Sequence, residues 1–172
     1  GSDRILKAMN RKHTGDLYRD IIERLRKVRP DIALSSDFIV GFPGETEEDF
    51  EDTMQMVRDI YYGCSAYSFK YSPRPGTPGA NMAPQIHEAV KAERLARLQE
   101  LLNEQQESFN QSMVEKTLPV LFDKKNKKTG QMQGKTPYNQ TMNVECSEKT
   151  YGKILPVVVT KAHANSLSGK IA

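Results

Sequence analysis

The sequence predicts an α/β segment of parallel βα units followed by a small all-β domain, a five-stranded antiparallel barrel, and three observations carry that prediction. Between residues 14 and 71, helix-period apolar stripes alternate with short apolar runs through brief connections, the pattern of a parallel sheet or partial barrel. Residues 84–113 then read as one long, charged connecting helix. Past that helix the periodicity changes to five short alternating runs separated by Lys- and Gly-rich turns, which suits a small closed sheet. The expected boundaries are residues 1–108 for the α/β part and 109–172 for the barrel.

Taken in order, Thr14 can cap a helix over residues 16–29, on which Leu17, Ile21, Leu25 and Val28 form one apolar stripe, and Pro30 stops it. Residues 32–40 read as a buried parallel strand, interrupted by Ser35, Ser36 and Asp37. A Gly41-Phe42-Pro43-Gly44-Glu45 turn follows, and then Thr46-Glu47-Glu48-Asp49, a capping-box-like start to a helix whose inner face is Phe50, Met54 and Val57. Residues 66–71 alternate, with Tyr67, Phe69 and Tyr71 on one side of a second strand. The loop after it, residues 72–79, is stiffened by Pro73, Pro75 and Pro78 and carries Arg74. The barrel strands are expected at 118–123, 131–135, 140–145, 153–160 and 168–172.

Composition narrows the class. With 37% hydrophobic and 27% charged residues the chain can bury a core, which excludes an intrinsically disordered tract. The longest apolar run, residues 154–159, is far shorter than the ~18 residues of a membrane span, and no charged-then-apolar leader opens the sequence, so the expected location is cytoplasmic with no membrane partner. Cys64 and Cys146 are widely separated single thiols that suit neither a disulfide framework nor a metal motif, and His13, His87 and His163 show no ligand spacing, so no metal site is expected. Charge is divided unevenly: residues 1–110 hold 15 Lys and Arg against 18 Asp and Glu, whereas residues 111–172 hold ten Lys against four acids.

Two groups of candidate functional residues follow. Where a strand runs into a Gly-Pro-Gly turn and a capped helix, free N–H groups and the helix dipole favour a polar or anionic ligand. Ser35, Ser36 and Asp37 either face the mouth of a barrel and bond a ligand, or satisfy one another and neighbouring strands. Arg74, on a stiff loop at a strand end, suits either a carboxylate or phosphate contact or a surface ion pair. In the barrel, Lys124, Lys125, Lys127 and Lys128 with nearby Lys135 and Tyr138 are either a solvated face or a polyanion surface. Cations beside an aromatic suit single-stranded or looped RNA.

Residues 1–14 (GSDRILKAMNRKHT), 35–49 and 71–79 resemble consecutive blocks of the MiaB-type tRNA methylthiotransferases, and the Lys-rich end resembles the family's TRAM domain. Residues 69–77 (FKYSPRPGT) resemble the tRNA branch more than the branch that modifies a ribosomal protein. The resemblance implies the C-terminal part of a radical S-adenosylmethionine βα barrel followed by an OB-like RNA-binding barrel. It implies an enzyme that places a methylthio group on C2 of N6-isopentenyladenosine beside the anticodon, with relatives acting on threonylcarbamoyladenosine or a ribosomal protein as alternatives. It also implies two [4Fe–4S] clusters, one of them in a C-x-x-x-C-x-x-C motif, held by cysteines this sequence lacks. On that basis the chain is the C-terminal portion of a larger enzyme, inactive and without retained cofactor by itself, or else a purely RNA-binding module. Its S-adenosylmethionine contacts would be Ser36, Asp37, Gly41, Pro43, Gly44 and Glu45, with Arg74 at the mouth. Its partners would be the tRNA anticodon stem-loop and the enzyme's N-terminal part, with self-association through an exposed sheet edge.

Overall fold

The structure is a computed structural model that describes residues 1–64, 66–127 and 129–172. The chain forms two compact units, Gly1–Leu102 and Asn103–Ala172.

The first unit opens with a short helix, α1 (Asp3–Ala8), whose Ser2 cap accepts from the Ile5 N–H. The second helix, α2 (Gly15–Val28), is capped by Thr14, whose hydroxyl accepts from the Leu17 N–H. Its expected apolar stripe does not face the core. Leu17, Ile21, Leu25 and Val28 are all exposed, and the helix instead packs through Ile22 and Tyr18, one turn apart on the adjoining face. The strand expected over 32–40 is confined to β1 (Asp37–Val40), because its parallel partner β2 (Tyr67–Lys70) offers only the register Asp37–Tyr67 to Val40–Lys70. Two flanking bonds close the ladder, from the Tyr67 N–H to the Ser36 carbonyl at 2.9 Å and from the Tyr71 N–H to the Val40 carbonyl at 2.8 Å.

Between the strands lies α3 (Glu47–Ile60), with the complete reciprocal capping box of Thr46 and Asp49. Its Phe50, Met54, Met56, Val57 and Ile60 are buried with Phe38 and Val40, so alternation along β1 sends those two side chains into the core. Ile39 and Phe69, directly paired in register, remain exposed on the opposite face. After β2 the proline-rich loop contains a single helical turn, α4 (Pro78–Asn81), and the long helix starts later than expected, as α5 (Glu88–Gln111). Its Leu98 and Leu102 complete the first unit's core.

The second unit is a closed barrel of β3 (Thr117–Lys125), β4 (Met132–Lys135), β5 (Thr141–Val144), β6 (Ile154–His163) and β7 (Ser166–Ile171), in the order β3-β4-β5-β7-β6. Alternate residues point inward, and Val120, Phe122, Met132, Met142, Val144, Val157, Val159 and Leu167 fill the interior. The expectation of an all-antiparallel barrel is corrected: β5 and β7 run parallel, from Met142–Leu167 to Val144–Gly169. Parity gives the reason, since a closed ring of five strands cannot alternate direction at every contact. Asn110 ties the barrel together, donating to the His163 and Ala164 carbonyls at 2.9 and 3.0 Å while accepting from the Gln140 amide at 2.7 Å.

Candidate cofactor cavity and nucleic-acid interface

The Gly41–Glu45 turn is held from several sides. Gly41 has φ 74°, and a Cβ there would lie 2.2 Å from the Lys91 Cγ, so only glycine lets the strand end pass beneath α5. Its N–H donates to the Glu45 carboxylate at 2.9 Å. That carboxylate also accepts from Arg94 at 2.9 Å, in a pair whose side chains are both almost fully buried. Burial pushes the Glu45 carboxyl up, while the Gly41 N–H and Arg94 guanidinium draw it back. The Gly44 N–H donates to the Pro84 carbonyl at 2.9 Å, and Pro43 is buried.

The start of α3 is filled by the chain itself. The Asp49 carboxylate accepts from the Ser2 hydroxyl at 2.6 Å, the Thr46 N–H at 2.8 Å and hydroxyl at 2.9 Å, and the Arg4 guanidinium. Burial alone would raise the Asp49 carboxyl; the Arg4, Ser2 and Thr46 donors outweigh it and hold the group far below the ordinary carboxylate range. Anion binding expected at this helix end is therefore already supplied by an internal carboxylate.

Open space lies on the strand side. A cavity of about 590 Å³ is lined by Ser36, Asp37, Glu45, Ile5, Met56 and Tyr62, with Met9, Arg11 and Ile39 on one wall. Ser36 is half-buried and Asp37 exposed, so both can present polar atoms to a ligand. Tyr62 closes the floor, its hydroxyl 3.0 Å from that of Tyr18, and burial drives its phenol well above the ordinary range. Of the seven expected cofactor contacts, this cavity gathers Ser36, Asp37 and Glu45. Gly41, Pro43 and Gly44 shape the turn outside its lining, and Arg74 lines a different cavity of about 660 Å³.

An iron–sulfur cluster does not fit the donor set. A cluster takes three or four cysteine thiolates, the sequence has only Cys64 and Cys146, and they lie in separate units. Among the described residues no group of three or more His, Cys, Asp or Glu could hold a metal ion, and no helix is long and apolar enough to cross a membrane.

In the barrel, Lys124 and Lys127 are exposed near the β3–β4 turn. Lys125 pairs with Glu148, and Lys135 donates to the Asn139 carbonyl at 3.2 Å and the Thr141 hydroxyl at 3.1 Å. Lys128 lies outside the described residues. Tyr138 is half-buried, its ring edge-on to Phe109 at 5.4 Å, which leaves less of it to stack on a base. A more open aromatic escaped the sequence reading: Tyr151 is 64% exposed, between Lys149 and Lys153. The Phe122 N–H donates to the Lys153 carbonyl at 3.0 Å and the Gly152 N–H to the Phe122 carbonyl at 2.7 Å, which sets this aromatic turn beside the strand bearing Lys124. A Tyr-Gly-Lys turn between basic residues was the available signal.

Comparison with known proteins agrees with both halves. Residues 1–57 match the radical SAM superfamily and residues 111–172 the TRAM domain. The chain is 59% identical, over 99% of its length, to a tRNA-2-methylthio-N(6)-dimethylallyladenosine synthase of Rickettsia rickettsii (strain Sheila Smith), of which it covers 38%. It is 58% identical to the synthases of that name from Wolbachia pipientis wMel and Ehrlichia canis (strain Jake), over 98% and 99% of this chain and 39% of each relative. The chain thus spans well under half the length of these curated relatives. Its first part is thus similar to the radical SAM superfamily and its last part to the TRAM domain, and the whole chain aligns with the C-terminal portion of these synthases.

Proposed function

We propose that this chain is the cofactor-wall and RNA-holding portion of an enzyme that adds a methylthio group to C2 of N6-dimethylallyladenosine in tRNA. The observation that carries this is identity of 58–59% running through both units to relatives with that one name. The geometry fits a division of labour. The cavity with Ser36 and Asp37 has polar atoms at one end and apolar walls from Ile5, Ile39 and Met56, which suits the amino-acid end and the nucleoside of S-adenosylmethionine. When bound there, that cofactor supplies radical and methyl-donor chemistry, with clusters ligated by cysteines of another segment. The residues of this chain bind and orient: Glu45 and Arg94 lock the turn, Gly41 allows its close passage, and Ser36 and Asp37 accept or donate at the ligand's polar end. The barrel, with Lys124, Lys125, Lys127, Lys128, Lys135 and Tyr138, joined by Tyr151, holds the anticodon stem-loop by charge and stacking.

Calorimetric titration of S-adenosylmethionine into the full-length enzyme that contains this segment tests the cavity. The double variant Ser36→Ala, Asp37→Ala should bind about tenfold more weakly than the parent, the loss of one to two net hydrogen bonds. Unchanged affinity would remove both residues from the site.

A further inference from the structure

The cavity that holds Ser36 and Asp37 has walls from separate stretches of chain. One wall is α1 with its cap, through Ser2, Ile5, Leu6 and Met9, and another is the turn between β1 and α3, through Glu45. The width of the cavity therefore depends on what ties α1 to that turn. Packing does little of this, because Ile5 is the only buried residue of the six-residue helix. Polar contacts hold its N-terminal end instead, with the Ser2 hydroxyl donating to Asp49 at 2.6 Å and the Asp3 carboxylate accepting from the Gly15 N–H at 2.7 Å.

The turn is closed by the Glu45 N–H donating to the Phe42 carbonyl at 2.9 Å, with Pro43 second and Gly44, at φ 76°, third, the arrangement of a type II turn. Three segments hold its second half. Pro84 accepts from the Gly44 N–H at 2.9 Å, Arg94 donates to the Glu45 carbonyl at 3.2 Å and carboxylate at 2.9 Å, and Arg4 donates from Nη2 to the Gly44 carbonyl at 2.7 Å. The same Nη2 pairs with the Asp49 carboxylate, and Arg4 Nε donates to its other oxygen at 3.3 Å. Among the described residues no other side chain of α1 bonds the turn. Arg4 lines neither cavity. Its side chain is 58% exposed, so attraction alone contributes little, and what its bonds fix is position.

The geometry points to Arg4 as a positioning residue for cofactor binding. By bonding the Gly44 carbonyl and the Asp49 carboxylate from one side chain of α1, it holds the α1 wall at a fixed distance from the turn and keeps Glu45 in the lining. Arg4 has this role only if the cavity receives S-adenosylmethionine, as read above, and it acts through Gly44 and Asp49 without touching the ligand. A wall held in place beforehand spares the ligand the cost of ordering it, so loosening the turn lowers affinity although every ligand contact remains available.

The test uses the full-length enzyme that contains this segment, with S-adenosylmethionine as the probe, read by calorimetry and by amide exchange of residues 41–46 against residues 50–60 of α3. Arg4→Met, which keeps the apolar stem and removes the donors, should weaken S-adenosylmethionine about fivefold, part of the worth of one charged hydrogen bond. It should speed exchange in residues 41–46 about tenfold in the free enzyme, leave residues 50–60 unchanged, and lose the difference at saturating cofactor. Arg4→Lys should restore affinity to within about twofold, because the bonds to Gly44 and Asp49 made by Nη2 need only one nitrogen with two protons to give. Unchanged affinity in Arg4→Met, faster exchange spread through residues 50–60, or an Arg4→Lys variant no better than Arg4→Met would each overturn the assignment. The Ser36→Ala, Asp37→Ala variant separates it from the cofactor reading. If that variant binds more weakly while Arg4→Met binds like the parent, Arg4 alone loses its role, whereas no loss in either removes the cofactor from the cavity.

Discussion

Asp49 collects a hydroxyl from Ser2, an N–H and a hydroxyl from Thr46 and a guanidinium from Arg4, whereas the Tyr71 hydroxyl, buried, has no hydrogen-bond partner among the described residues. These two groups should respond to substitution with opposite sign. Asp49→Asn keeps the shape but removes the charge that strengthens each bond and half of the capping box, so it should cost about 2 kcal/mol in urea unfolding. Its pH dependence follows from the depressed carboxyl. Asp49 contributes stability that is complete above the ordinary aspartate value of 3.8 and is lost as pH falls through that value toward the lower folded one. The variant should therefore show a flatter acid limb below about pH 4. Tyr71→Phe removes an oxygen that is shut in by Gly79, where even a Cβ would lie 2.6 Å from it. An unpaired buried hydroxyl is unfavourable, so this change should stabilise by about 1 kcal/mol, read as a raised urea midpoint at unchanged slope.

At the level of elements, α2 separates what periodicity reports from what packing decides. Val28 is 80% exposed although it completes the helix's apolar stripe, while Ile22, off that stripe, is 5% exposed. Val28→Lys should change unfolding free energy by less than about 0.5 kcal/mol, and Ile22→Ala should cost about 3 kcal/mol. Reversal of that order would mean the stripe is the packed face. The capping box at Thr46 and Asp49, and the barrel strands with their alternation from Leu118 to Phe122, were legible because local bonds and a period of two determine them. Residues 32–36 were overread as strand, since apolar density says nothing of whether a partner strand reaches that far. The parallel β5–β7 contact was equally invisible locally, being a property of the closed ring. Within the candidate site, Ser36, Asp37 and Arg74 were found as polar residues at strand ends, but their division between two cavities depends on where Met9 and Arg11 lie, and that is set by tertiary packing.

For the whole molecule, the separation of charge matters more than its net value of +3. All ten arginines lie in the first unit, and most are consumed by ion pairs with its acids, so among its described residues the cations outside ion pairs are few, chiefly Arg11, Arg74 and the exposed Lys7 and Lys12. The barrel has lysines instead, and Lys124 and Lys127 are exposed on its β3–β4 side beside the Tyr151 turn. Lysine is a hydrated point charge suited to a phosphate backbone without reading a sequence, so affinity for tRNA should be dominated by counterion release. If about four phosphates are neutralised, affinity should fall roughly 50-fold or more between 50 and 200 mM salt. Lys124→Ala with Lys127→Ala should then lower the slope of log affinity against log salt by roughly 1.5. Tyr151→Ala should weaken binding at every salt concentration by a similar factor while leaving the slope intact, because stacking releases no counterions. Filter binding of tRNA across that salt range measures all three, and equal affinity at both ends, or none at either, would show that the basic face of the barrel is only a solvated surface.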